Sequence, residues 1–467
     1  MYKNKTIVAI ELGSSKISGA AARKKSDGKL EITACASVPS SAFIRQGAVY
    51  NLDRTAEGIA RVIELLERQI GTKIFQVFTG YAGKSLRSLP VTVSRELEEG
   101  AVVTSSVVDD MLVECGDTQA DDMLSLNIAS QEFVVDYKNN AEEDPVGVAC
   151  SHIEGHFQKI MMRPRLFKLL DDSFRHASVD IADSFVLPLT VANVILDDAD
   201  RQRGCALVDY GADTTTVTVY KGGQMCYMRV IPLGSDTITR DIMKVFRLGH
   251  DEAESLKCTY GLFGLSGSDE ESTVAGGSQV SLKQLGEVIE ARNEEIMANV
   301  MHQLKLSGYY ESLFNGLVLT GGGSNLKKLQ YAASQLFPEI SPVRIVRGIS
   351  QDMECCDTDW NISDGTHVGL LSLLVQGGEN CCMEIPEKDM YEEPDARTQA
   401  AMVTGNLFDD NGESAQAALD MKIGQEQIKP VEKELEKDEK NEVVKSKTPS
   451  FISVIRETFH KFFEDVQ

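Results

Sequence analysis

No stretch of this 467-residue chain approaches the roughly 18 consecutive apolar residues that a membrane-crossing helix needs, so an integral helical membrane protein is not expected. The opening MYKNKTIVAIELGSSK carries only a short apolar run before an acid, which suits a strand and not a secretory leader. Cysteine is thinly spread. The ten cysteines include no C-x-x-C spacing and two adjacent pairs, Cys355/Cys356 and Cys381/Cys382, which argues against a disulfide scaffold and for reduced thiols in a cytoplasm. Basic charge is also short, with Lys plus Arg at 47 against Asp plus Glu at 71 and a net charge of −24. So acidic a chain is poorly suited to gripping phosphates, and no nucleic-acid partner is expected. The expectation is a protein made in, and remaining in, the cytoplasmic compartment.

What is present is ordinary for a folded protein, with 42% apolar and 25% charged residues, and the length allows two or more packed domains. Thr6 to Leu12 is β-branched and apolar, runs into Gly13-Ser14-Ser15-Lys16, and is followed by a second apolar run from Ile17, which predicts strand, tight turn and strand. Leu52 to Ile70 repeats apolar residues at helical spacing with Asp53 as the expected N-cap, and Phe75 to Thr79 is expected to be a buried strand. From Leu86 to Lys159 short alternating strands surround one helix near Ser106 to Cys115, the pattern of an inserted α+β module. Helices are expected over 165–176 and 187–196. Cys205 to Tyr220 then repeats the strand, glycine turn and strand of the opening. A polar loop over 265–278 precedes a long helix at 282–306, and Leu317 to Thr320 leads through Gly321-Gly322-Gly323-Ser324 into a helix expected over 326–337.

Beyond Gly377-Gly378 the periodicity stops, and Glu384 to Pro449 holds 17 acids against 9 bases, the composition of a solvated linker. The chain then closes on FISVIRETFHKFFEDV. At 100° per residue Phe451, Ile452, Ile455, Phe459, Phe462, Phe463 and Val466 share an arc of about 120°, with every charged residue outside it.

Backbone N–H groups at glycine turns can cradle phosphates, because glycine lets the main chain approach closely. One such turn is commonly a plain hairpin; two in corresponding places, with a third before a helix, point to a nucleotide between two domains. Ser14, Ser15 and Lys16 would clasp β- and γ-phosphates, and Gly211, Asp213 and Thr214 would face them. Glu11 and Asp209, each at a strand end, could hold a hydrated Mg²⁺ or orient water; equally, each could be a strand-end carboxylate accepting turn N–H bonds. Gly321, Gly322 and Gly323 could approach a purine face with Ser324 capping the next helix, or form a tight turn only. Glu254 and Lys257, three apart on a helix, could grip ribose hydroxyls or make a surface pair.

In their order, AIELGSSKI, QEFVVDYKNNAEEDPVG, LVDYGADTTTVTVY, AESLKCTYG, EVIEARNEEI and LVLTGGGSNL resemble the FtsA family of bacterial cell-division proteins, part of the actin, Hsp70 and sugar-kinase superfamily. The resemblance runs from about Thr6 to Gly378 and recurs at the last helix. It implies an α/β, actin-like two-domain ATPase fold: a first domain of 1–85 and 160–198 (subdomain 1A), an inserted module at 86–159 (1C), a second domain of 199–235 and 307–378 (2A), subdomain 2B at 236–306, an acidic linker at 379–449 and an amphipathic membrane-targeting helix at 450–467. It further implies ATP with Mg²⁺ as cofactors, held by the two phosphate loops and an adenosine loop at the three turns, with Glu254 and Lys257 at the ribose. At most a weak ATPase is implied, with Glu11 and Asp209 as its carboxylates.

The implied partners are the tail of FtsZ, other copies in a filament, later division proteins reached through 86–159, and the lipid surface. The implied location is peripheral, on the cytoplasmic face of the membrane at the septum. Three departures stand out. Glu11 replaces the superfamily's usual Asp, Ala212-Asp213 replaces glycines, and the last helix, with Arg456 and Lys461 against Glu457, Glu464 and Asp465, has a net charge of −1. Two alternatives carry different tests: a small-molecule kinase, for which no general-base Asp is evident, and a PilM-like scaffold of another machine, against which the final helix argues.

Overall fold

The computed structural model describes residues 5–383 apart from 26, 99, 119–121, 138–140, 143, 263–271 and 358–359. The acidic segment 384–449 and the expected helix at 450–467, with all seven of its apolar-face residues, lie outside the described residues.

Strand Thr6–Leu12 pairs antiparallel with Lys16–Lys24 across the first glycine turn, and in parallel with Gln76–Tyr81. They belong to a six-stranded sheet ordered Asp180–Val186, Gln76–Tyr81, Thr6–Leu12, Lys16–Lys24, Leu30–Pro39 and Met353–Cys355. The continuous burial of Thr6 to Ile10 explains why its sequence is unbroken apolar and not alternating. Helix Leu52–Ile70 covers part of this sheet with Ile59, Val62 and Leu66 fully buried. Its cap is Asn51, whose side chain accepts from the Arg54 N–H, so the expected Asp53 cap is corrected: Asp53 lies in the first turn, where its charge still suits the helix dipole. Gly71, with φ +72°, ends the helix. Phe75, expected as the first residue of a buried strand, instead stands exposed just before the observed strand Gln76–Tyr81.

The second lobe repeats the plan with Cys205–Tyr210, Thr215–Lys221 and Gln224–Ile231 antiparallel, and Leu317–Thr320 and Val343–Ile345 added in parallel. The two sheets thus place Glu11 and Asp209 near equivalent strand ends. Strands Arg87–Glu96, His152–Met162 and Leu124–Val135, with helix Ser105–Asp117, form the inserted region around its own core of Met111, Phe133, Ile153 and Phe157. Its sheet continues that of the second lobe: Arg87 pairs with Arg229, and the Met228 N–H donates to Ser88 Oγ at 2.8 Å.

Helices Ser235–Phe246, His250–Tyr260 and Leu282–Leu306 pack around Ile238, Leu256 and Ile289. The polar stretch expected as loop over 265–278 ends in strand Ser272–Ala275, paired with Ser278–Ser281. Helix Leu329–Leu336 begins later than expected, after a 3-10 turn at Gly322–Asn325. Two features are absent from the sequence expectation. Val368–Gln376 is a helix, its mostly apolar sequence matching the burial of all but its last residues and Gly369, and Cys381, expected in the linker, is buried with its N–H donating to the Thr6 carbonyl at 2.8 Å. No described helix is long and apolar enough to cross a membrane.

Candidate functional site

The first turn is held from both sides. The Ser40 hydroxyl donates to the Gly13 carbonyl at 2.6 Å, and the Ser40 N–H donates to the Ser15 carbonyl at 3.0 Å. Ser14 Oγ accepts the Gly47 N–H at 2.8 Å, Ser15 is exposed, and Lys16 is half-buried with its Nζ 3.2 Å from His367 Nε2. Glu11 stands just before this turn with its carboxylate at the start of helix Val368–Gln376, where it accepts the Leu370 N–H. A Cβ on Gly369 would come within 2.5 Å of Glu11 Oε1, so only glycine permits that approach.

The second turn closes by the Gly211 N–H donating to the Thr214 carbonyl at 2.9 Å, while the Gly211 and Ala212 carbonyls accept first-turn N–H groups of helix Ser235–Phe246. Asp213 does not project freely toward the crevice, as the sequence suggested. It is buried, forms an ion pair with Arg240, and accepts the Gln46 N–H at 3.1 Å, which offsets the negative charge that replaces glycine here. Consecutive amides of the first lobe, Gln46 and Gly47, thus engage Asp213 of one turn and Ser14 of the other.

At the third turn Gly321 has φ +84°, and a Cβ there would lie 2.3 Å from Asp209 Oδ1. Gly322 is exposed and Gly323 buried against the Tyr210 ring. Ser324 is not a helix cap: its hydroxyl turns back to donate to the Gly321 carbonyl at 2.7 Å, because the chain enters a 3-10 turn before the helix starts. Asn325 Nδ2 donates to the Asp364 carbonyl at 2.7 Å, tying this turn to the segment that leads to His367 and hence to Lys16. The three turns are linked in one ring of contacts.

Glu254 and Lys257 pair at 2.7 Å, with the Lys257 ammonium also donating to the Ser235 carbonyl at 3.1 Å and to Thr239 Oγ1 at 2.8 Å. Lys327 Nζ donates to the Thr259 carbonyl at 2.7 Å, so this helix is joined to both the second and the third turn.

Burial pushes Glu11 up to about 7, with the nearby Asp209 charge adding to it and Lys16 and the Leu370 N–H opposing it. Burial pushes Asp209 up to about 6. Lys16 is pulled down by burial against the opposing pull of Glu11 and Asp364. Two partly buried carboxylates, the charge of Asp209 acting on Glu11, beside the half-buried Lys16 suit a hard, hydrated cation accompanied by phosphate oxygens. Among the described residues no group of three or more His, Cys, Asp or Glu has metal-holding geometry.

A family profile described as cell division protein FtsA matches residues 206–357. The FtsA of Porphyromonas gingivalis is 28% identical over 397 residues, spanning 82% of this chain and 80% of that protein. The FtsA of Pseudomonas aeruginosa is 28% identical over 391 residues, spanning 80% of this chain and 91% of that protein. Over most of its length this chain is thus similar to FtsA cell-division proteins. The solved PilM–PilN type IV pilus biogenesis complex superposes with a TM-score of 0.54 at 15% identity over 79% of this chain and 98% of that one; so remote a likeness shows the actin-like fold alone.

Several residues that contact the three turns or Glu11 escaped sequence reasoning: Gln46, Gly47, Arg240, Asp364, His367 and Gly369. Asp364-Gly365 was a legible turn signal, but nothing in the sequence announced which turn it would touch. The Gly321–Asp209 contact yields a direct prediction. Gly321→Ala destabilises the fold by more than about 2 kcal/mol, whereas Gly28→Ala, with a similar positive φ but nothing within 4 Å, costs about 1 kcal/mol. Urea unfolding of the two variants measures this, and equal losses contradict the close approach.

Proposed function

We propose that this chain binds Mg-ATP in the crevice ringed by the three turns, and that the nucleotide-bound pose of its two lobes supports head-to-tail assembly. The assembly holds FtsZ through its C-terminal tail, gathers later division proteins through residues 86–159, and attaches to the cytoplasmic face of the membrane at the septum through the segment 450–467. The observation that carries this reading is the meeting of Glu11 and Asp209, from strand ends about two hundred residues apart in sequence, beside Lys16 and two glycine turns. Ser14, Ser15, Lys16, Gly211 and Thr214 bind the phosphates. Asp213 fixes the second turn against Arg240 and Gln46. Gly321 to Ser324 border the base, and Glu254 and Lys257 the ribose. Glu11 and Asp209 would hold a magnesium ion through water, and the ion would supply neutralisation of phosphate charge.

The raised carboxylates make this testable by pH. An acid whose folded pKa exceeds its unfolded value contributes stability that is present below the unfolded pKa and lost as pH rises through the folded one. For Glu11 the loss runs from about 4.5 to about 7. Glu11→Gln therefore stabilises the nucleotide-free protein at pH 8, by up to about 3 kcal/mol, and has little effect at pH 5. Mg-ATP reverses the order at pH 8, raising the melting temperature of the unmodified chain more than that of the variant. Equal Mg-ATP shifts in both proteins contradict a role for Glu11 at the cation.

A further inference from the structure

His367 occupies the N-cap position of helix Val368–Gln376 and is only 6% exposed. Its Nε2 lies 3.2 Å from Lys16 Nζ. An ammonium has three donors and no lone pair, so a hydrogen bond forms only if Nε2 carries the ring's lone pair and the proton sits on Nδ1. That Nδ1 is buried without a hydrogen-bond partner, a cost the fold accepts for the bond on the opposite side of the ring. Trp360, the single tryptophan of the chain, lies against the imidazole with ring centroids 3.9 Å apart and planes at 37°. The imidazole is thus pinned in plane and in tautomer, with its free lone pair on the one lysine of the first turn.

We propose that His367 is a positioning residue for Lys16: its Nε2 accepts one ammonium hydrogen and thereby directs the remaining two toward the phosphate chain, while Trp360 clamps the ring and reports its state. This rests on the crevice being the nucleotide site and adds a residue that none of the glycine turns contains. Burial and the Lys16 charge push His367 down to about 4, against the pull of Asp364, so the ring is a neutral acceptor at physiological pH. Without the acceptor, Lys16 swings toward Glu11 and Asp364, the carboxylates that already attract it.

The test uses the full chain with His367→Ala and His367→Gln, alone and combined with Lys16→Met. Calorimetry with Mg-ATP should show an about tenfold loss of affinity for the alanine variant, of the size expected for one hydrogen bond to a charged group, and recovery to within about threefold for glutamine, whose amide oxygen accepts the same hydrogen. In the Lys16→Met background the alanine change should have no further effect. The change in Trp360 fluorescence on adding Mg-ATP should shrink in His367→Ala. A second readout needs no nucleotide: amine-directed labelling of Lys16, read by peptide mass spectrometry, should be several-fold slower in His367→Ala than in the unmodified chain or the glutamine variant, because an ammonium drawn onto Glu11 and Asp364 is held protonated. Equal labelling in all three overturns the proposal, as does an equal affinity loss with and without Lys16. Failure of the unmodified chain to bind Mg-ATP, with the labelling difference intact, refutes the nucleotide site and leaves the His367–Lys16 contact standing.

Discussion

Lys16→Met lowers the affinity for Mg-ATP by at least about thirtyfold while the nucleotide-free protein keeps its melting temperature or gains slightly. The size follows from removing one partner of a partly desolvated charge contact, which costs about 2 kcal/mol or more. The stability result follows from burial. Lys16 is held below its ordinary range because taking the ammonium out of water is unfavourable, so an apolar side chain of similar length removes that penalty along with the useful charge. Methionine also leaves Glu11 without the positive neighbour that opposes its upward shift. The variant should therefore bind less nucleotide and carry a more readily protonated Glu11, so that its residual binding falls more steeply as pH drops from 8 to 6. Calorimetry across that range reads both effects. Affinity within threefold of the unmodified chain at pH 8 removes Lys16 from the phosphates.

The second large effect concerns the C-terminal segment. The pair Phe459→Glu and Phe462→Glu should abolish cosedimentation with anionic liposomes and, with it, the recruitment of FtsZ filaments to those liposomes. The segment from Phe451 to Val466 has a net charge of −1, so in the proposed attachment lipid charge would contribute little and apolar burial most. Each large side chain contributes up to roughly 1.5–3 kcal/mol when fully buried and less at shallow depth. Two glutamates in the middle of the arc remove two such contributions and add two charges that resist burial. On the proposed function one such segment would bind reversibly and assembly would multiply it, so the loss should be sharpest under conditions that favour filaments. Equal liposome binding by both forms ends the membrane role, and liposome binding without FtsZ capture ends the adaptor role.

Much of the fold could be read before any coordinates. Helix Leu282–Leu306 matches its apolar spacing end to end, and the two strand–turn–strand units fall where the glycine turns interrupt β-branched runs. Local chemistry decides such elements, so local sequence reveals them. Helix Val368–Gln376 was missed because a mostly buried helix shows no amphipathic period, and the docking of Cys381 because an edge contact with a strand nearly four hundred residues away leaves no local trace. The site divides similarly. The glycine turns were visible, whereas Gln46, Arg240 and His367 matter only through partners far along the chain, and Ser324 failed as a cap because a 3-10 turn precedes its helix.

The most direct measurement is a crystal structure of the full chain with a non-hydrolysable ATP analogue and magnesium. The account predicts phosphates at Ser14 to Lys16 and Gly211 to Thr214, the cation's waters on Glu11 and Asp209, and the base bordered by Gly321 to Ser324. An analogue bound elsewhere, or a crevice left empty at saturating analogue, would contradict it.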